Sequence, residues 1–156
     1  MPDMVTLMAV LPSMPADARV QERIFAFLTD PTAHPHVRRI DTHAASVFLE
    51  GERALKVKRA ICFPYLDYST LAKRKAACEQ EIAINRRFAP QIYRRVIPIT
   101  QDSQGSLSID GEGTPVEYAV EMARFYESRT IDHLAGSRIR LDFNDLSKQV
   151  EVLTFM

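Results

Sequence analysis

The chain has 156 residues, no tryptophan, and 20 basic residues against 20 acidic ones. That length suits one domain of ordinary size, and the balanced charge leaves no electrostatic footprint for nucleic acid or an anionic membrane. A charged fraction of 26% beside 46% hydrophobic residues excludes a disordered tail, and no run approaches the ~20 apolar residues of a bilayer span.

The amino terminus has an apolar patch from Val5 to Leu11, interrupted by Pro2, Pro12 and Pro15. Asp3 stands where a secretion signal carries positive charge, so the segment reads as a leader. Asp17 can cap a helix running to Leu28, with Val20, Ile24, Phe27 and Leu28 on one face. The prolines of TDPTAHPH, Thr29 to His36, end it, and the helix is expected to lie against the main body.

From Val37 to Phe63 the period changes to two. Val37 and Ile40, then Ser46 to Glu50, are short extended pieces, and Gly51-Glu52 fits a tight turn. A third strand spans RALKVKRAICF, with Leu55, Val57, Ile61 and Phe63 on one face and Lys56 and Lys58 on the other. Ser69 or Thr70 opens the longest helix, Leu71 to Phe88, which Pro90 closes. Arg94 to Thr100 and Ser106 to Asp110 flank QDSQG as a second hairpin, and residues 116–125 read as the last strand. Weak helical signals follow from Thr130 and Asp145. Hairpins without βαβ alternation predict an antiparallel α+β domain.

The long helix carries an anomaly. Ala77, Cys78, Ile84 and Phe88 form its apolar stripe, and Glu81 sits among them, whereas Glu79 lies well off it. A buried carboxylate needs a partner, and Lys56 and Lys58 on the preceding strand supply candidates. A strand lysine paired with a helix glutamate is the contact that positions nucleotide phosphates in kinases.

Several other groups carry weaker signals. Cys62 and Cys78, sixteen positions apart, form neither a disulfide framework nor a metal pair, which predicts a reducing cytoplasm. Cys78 on a buried stripe beside a carboxylate has no reason to be a thiolate. His34, His36 and His43 lie on proline-broken or short loops and read as free loop histidines, with no metal expected. The basic clusters are scattered over different elements and offset by acid, as solvated faces are.

Ordered together, THAASVFL (Thr42 to Leu49), LDYSTL (Leu66 to Leu71), NRRFAP (Asn85 to Pro90) and PVEYAV (Pro115 to Val120) carry a resemblance. From Pro31 to His133 the chain resembles the amino-terminal lobe of the aminoglycoside phosphotransferase family, in its branch of bacterial kinase-like proteins. The resemblance implies a protein-kinase-like small lobe: a five-stranded antiparallel sheet with one long packed helix, here preceded by an N-terminal helix. It divides the chain into a leader and helix (1–33), a small lobe (34–125), and the start of a truncated large lobe or a tail (126–156).

Under that resemblance, Ala54-Leu55-Lys56 matches the A-x-K signature, Lys58 shares its face, and Glu81 in E-I-x-x-N is the partner. The turn from Thr42 to Ser46 takes the place of the nucleotide-covering loop. It lacks glycine, leaving Thr42, His43 and Ser46 as side-chain donors. Glu121, Met122 and Ala123 would form the hinge that meets adenine. The implied ligand is ATP, with Mg²⁺ only where a second lobe is supplied. No H-x-D occurs in the chain, and Asp142-Phe143-Asn144 follows Phe125 by only seventeen residues, too soon for a metal-binding D-F-G. The expectation is therefore an ATP-binding lobe of a phosphotransferase that does not catalyse alone. The alternative is a non-catalytic interaction domain. It would dock on a second copy or a complementary large-lobe chain through an uncovered face around Met122, Phe125 and Phe88.

Overall fold

The structure, a computed structural model, describes residues 16–124. The first helix, α1, spans Ala16–Leu28 and buries Gln21, Ile24, Phe25 and Leu28, which recur at helical spacing. Asp17 lies in its first turn, where a carboxylate complements the helix dipole. An Asx turn at Asp30, whose carboxylate accepts from the Thr32 amide at 2.8 Å, then redirects the chain.

Three strands follow as a meander: β1 (Arg38–Asp41), β2 (Ala45–Glu50) and β3 (Arg53–Lys58). Their register sets Ile40 opposite Val47 and Phe48 opposite Leu55. Gly51 turns the β2–β3 hairpin at φ +54°, a conformation that glycine reaches without strain. The third strand is shorter than its alternation suggests. It stops at Lys58, and Cys62–Phe63 (β4) pairs with Leu66–Asp67 (β5) as a separate small hairpin. The strand ends where its neighbours run out, since Lys58 pairs with Ala45, the first residue of β2, and pairing with the last strand of the sheet stops at Val57; Pro64 presets the turn between the two arms of the small hairpin.

Thr70 caps α2, Leu71–Asn85, its hydroxyl accepting from the Lys73 amide. The remaining strands are β6 (Tyr93–Gln101), β7 (Leu107–Ile109) and β8 (Thr114–Ala123). Among the described residues the architecture is α+β, with every strand pair antiparallel. Its main sheet has six strands in the order β1-β2-β3-β8-β6-β7, not five. β7 is the short second arm of the hairpin expected over Ser106 to Asp110, and it extends the sheet edge through Ile99–Ile109 pairing. Gly113 allows β8 to begin against β6, since a Cβ there would stand 2.5 Å from the Gln101 carbonyl oxygen.

Each helix covers one side of the sheet. Ile24, Phe25 and Leu28 of α1 pack with Phe48, Leu55, Val57, Ile97, Ile99 and Ala119. On the other side, Cys78 of α2 packs with Tyr93 and Val120, flanked by Val96, Tyr118 and Met122. Lys56 and Lys58, which alternate with Leu55 and Val57, thereby face α2.

Candidate functional site

The inner face of α2 is polar. Arg74, Cys78, Glu81 and Asn85 are its buried residues, spaced to share one side of the helix. Of the apolar stripe expected from sequence, only Cys78 is buried, whereas Ile84 is exposed and Phe88 is 83% exposed beyond the helix end. The reason lies across the interface, where β3 presents two lysines that an aliphatic helix face could not satisfy. Glu79 is solvent-exposed and pairs with Lys75 one turn away.

Glu81 receives both lysines. Lys56 Nζ donates to Oε1 at 2.9 Å and Lys58 Nζ donates to Oε2, with both ammonium groups about 2% exposed. Strand alternation puts the lysines two residues apart on one face, and α2 lowers one carboxylate between them. Burial pushes the Glu81 carboxyl up, but Lys56 and Lys58 together outweigh it and hold the group below its ordinary range. The two lysines respond differently. Burial lowers Lys56, and repulsion from Lys58 leaves the Glu81 attraction insufficient to restore it. Lys58 is lowered by burial too, yet its contact with Glu81 raises it above its usual value. The Lys58 ammonium also lies 5.7 Å from the Tyr68 ring. Burial pushes the Cys78 thiol up to about 12, so it stays protonated and carries no nucleophilic role.

The β1–β2 turn is closed by its own side chains. Thr42 Oγ1 donates to the Ala45 carbonyl and accepts from the Ala45 amide, each at 3.0 Å. Ser46 Oγ is fully buried and donates to Asp41 at 2.7 Å. These hydroxyls stabilise the turn and do not project from it. His43 is exposed, 6.5 Å from the Phe63 ring, which in turn stacks on Tyr65 at 5.7 Å. Met122 stands in the sheet between Ala54 and Tyr93, partly buried. The Ala123 and Arg124 amides donate to the Ile92 and Glu52 carbonyls at 2.8 Å. The expected hinge residues are therefore still strand at this point, and Phe125 lies outside the described residues. So do residues 126–156 and their Asp142-Phe143-Asn144.

A second buried polar cluster adjoins the first, and sequence reading missed it. Glu117 on β8 is fully buried and accepts from Arg74 Nε at 2.9 and 3.0 Å and from Gln21 Nε2 at 2.9 Å. Arg74 also donates to the Tyr68 carbonyl and to Asp17 Oδ1, each at 3.0 Å. Burial raises the Glu117 carboxyl, and the Arg74 contact offsets that only in part. One signal was present in the chain: a lone glutamate inside the apolar run VEYAV, and a glutamine within the α1 stripe, each needing a partner. Neither said which partner.

No family model matches the chain. It is 29% identical over 117 residues to the uncharacterized protein Rv2004c of Mycobacterium tuberculosis (strain H37Rv), a match covering 62% of this chain and 24% of that protein. The uncharacterized proteins MT2060 of M. tuberculosis (strain CDC 1551) and Mb2027c of Mycobacterium bovis match with the same identity and coverage. The chain thus spans about a quarter of the length of the curated relatives it matches. No solved structure matches it. Among the described residues, no helix is long and apolar enough to cross a membrane.

Proposed function

We propose that this chain is the nucleotide-binding small lobe of a kinase-like phosphotransferase related to the aminoglycoside phosphotransferase family. The observation that carries the reading is the buried contact of Lys56 and Lys58 with Glu81. Kinases hold the phosphates of ATP with a lysine on their third strand and fix it with a glutamate on the adjoining helix. Here the lysines lie on β3 and the glutamate on α2, the helix packed against that strand's face. The match to about a quarter of a longer relative agrees with a lobe-sized part of a larger enzyme.

The residues fit the phosphates better than they fit the base. Two clustered ammonium groups, fixed by one carboxylate, suit a polyphosphate, and Glu81 prevents them from separating. The turn hydroxyls of Thr42 and Ser46 are committed internally, and the Ala123 and Arg124 amides are committed to the Ile92 and Glu52 carbonyls. Phosphate binding in this reading therefore rests on Lys56 and Lys58, whose side chains are about 2% exposed and must be uncovered for a ligand to reach them; His43, exposed on the β1–β2 turn, has the role of an added donor. Bound Mg²⁺ would neutralise charge on the β- and γ-phosphates. The catalytic and metal-binding aspartates belong to a large lobe outside residues 16–124, so the described domain binds without transferring. A cytoplasmic setting is part of this reading, in keeping with the two free cysteines.

Thermal shift with Mg-ATP tests the reading. Ligand at 100 times its dissociation constant should stabilise the fold by ~2.7 kcal/mol, and adenosine lacking phosphates should stabilise it far less. Absence of any shift at millimolar Mg-ATP would overturn it. A second reading, docking on another copy or on a large-lobe chain, is favoured by Phe88, which stands 83% exposed at the end of α2. Light scattering that finds only monomer would remove the homodimer form of that reading.

A further inference from the structure

The α1 helix reaches the lysine–glutamate contact from the opposite face of the sheet. Pairing between β3 and β8 extends only to Val57 opposite Ala119, so β8 does not flank the chain past Lys58. The Gln21 amide fills that place. Its Nε2 donates to the Lys58 carbonyl at 2.7 Å, and its Oε1 accepts from the Ala60 amide at 2.7 Å. Two opposed bonds from one side chain do what a neighbouring strand would do. Nε2 also donates to Glu117 at 2.9 Å, and a flipped amide would set donor against donor at Ala60. Gln21, Lys58 and Glu117 are 4% exposed or less, so water is a poor substitute for the bonds among them.

From Glu117 the network passes to Arg74, and Arg74 shares its helix face with Glu81 two turns on. Asp17, one turn before Gln21, holds the other edge of Arg74. The first helix thus grips both sides of the ion contact: β3 through the Lys58 backbone, and α2 through Arg74. Three acids (Asp17, Glu81, Glu117) and three bases (Lys56, Lys58, Arg74) make up the joined clusters. A sheet face needs none of this for burial alone, since Ile24, Phe25 and Leu28 already seat the helix.

We propose that Gln21 is a positioning residue for the Lys58–Glu81 contact, and that α1 is thereby a control element of the site. Unseating α1 would part ammonium from carboxylate without touching either. The proposal rests on the nucleotide reading only for what the pair binds.

The full chain, labelled with ¹⁵N at its lysine side chains, supplies the test. Buried, ion-paired ammonium groups give slowly exchanging Nζ signals, and Lys58→Met assigns the one of interest. Gln21→Leu removes the clamp, and Ile24→Ala serves as a control that trims apolar contact from α1 while leaving it seated by Phe25, Leu28 and the Gln21 bonds. The Lys58 signal should vanish or merge with solvent-exposed lysines in Gln21→Leu and persist in Ile24→Ala. Mg-ATP affinity should fall about tenfold in Gln21→Leu, the worth of a buried hydrogen bond, and little in Ile24→Ala. Should the leucine variant not fold, Gln21→Met is read in the same way, because it keeps the length and nearly the volume yet has no donor for Lys58 or Glu117. An intact Lys58 signal in the Gln21 variant, or equal loss in the Ile24 control, would overturn the proposal. If the wild-type chain binds no Mg-ATP, the nucleotide reading fails by itself and the ammonium signal still decides the role of Gln21.

Discussion

Glu81 holds two ammonium groups where one would neutralise it, and the consequences are unequal for its partners. Lys58 gains from the contact more than burial costs it, whereas Lys56 does not. Lys56→Met and Lys58→Met each leave Glu81 one buried cation and should each cost less than Glu81→Gln, as denaturant midpoints would show; a larger loss from either lysine would contradict the shared contact. Glu81→Gln strands two buried cations and should cost about 3–5 kcal/mol at neutral pH. Because the carboxyl is held below its ordinary 4.5, its contribution is complete above that value and is lost as pH falls through the lower folded one. The difference in melting temperature between wild type and Glu81→Gln should then be constant from pH 7 to about 5 and shrink only at more acid pH. A difference that closes between pH 7 and 6 would assign it to another group. The cysteines separate just as cleanly: Cys62 is exposed and Cys78 fully buried with its thiol pushed up to about 12. Native protein at pH 8 should yield one rapidly alkylated thiol, lost in Cys62→Ser.

At the level of elements, α2 is the informative case, because it packs through charge where its sequence suggested apolar contact. Arg74→Ala removes the guanidinium that Glu117 and Asp17 share and should cost several kcal/mol, of the order found for one partner of a buried ion pair. Phe88→Ser, at an 83% exposed position, should change stability by no more than about 0.5 kcal/mol. Chemical denaturation of the two variants compares them directly, and a larger loss from Phe88→Ser would restore the apolar stripe. The contrast shows what could be read from the chain. Alternation in RALKVK placed Lys56 and Lys58 on one face, and the position of Glu81 marked a carboxylate in need of a cation. Both are local patterns with fixed periods. The partners Arg74, Glu117 and Gln21 lie 43 and 96 positions apart along the chain, and no local period records such a meeting. The break of the third strand at Lys58 was hidden for a related reason: the alternation continues through Cys62 and Phe63, but into a different hairpin.

For the molecule as a whole, the sheet is held between two helices that differ in chemistry. The second contributes ions, and the first contributes most of the apolar seal, through Ile24, Phe25 and Leu28 at 0–3% exposure. At about 1.5–3 kcal/mol for each buried side chain of this size, that seal is worth roughly 5–9 kcal/mol. Such a sum equals much of the net stability of an ordinary domain, about 5–15 kcal/mol. A chain beginning at Asp30 would lose it and would uncover Phe48, Leu55, Val57, Ile97 and Ile99 together. It should show no cooperative melting transition and should aggregate, while the whole chain melts in one step. The thirteen residues of α1 are too few to hold a helix alone in water, so the helix exists because the sheet receives it. If the shortened chain stayed monomeric and melted at the wild-type temperature, the first helix would be an ornament to the sheet and could not govern the contact that Gln21 adjoins.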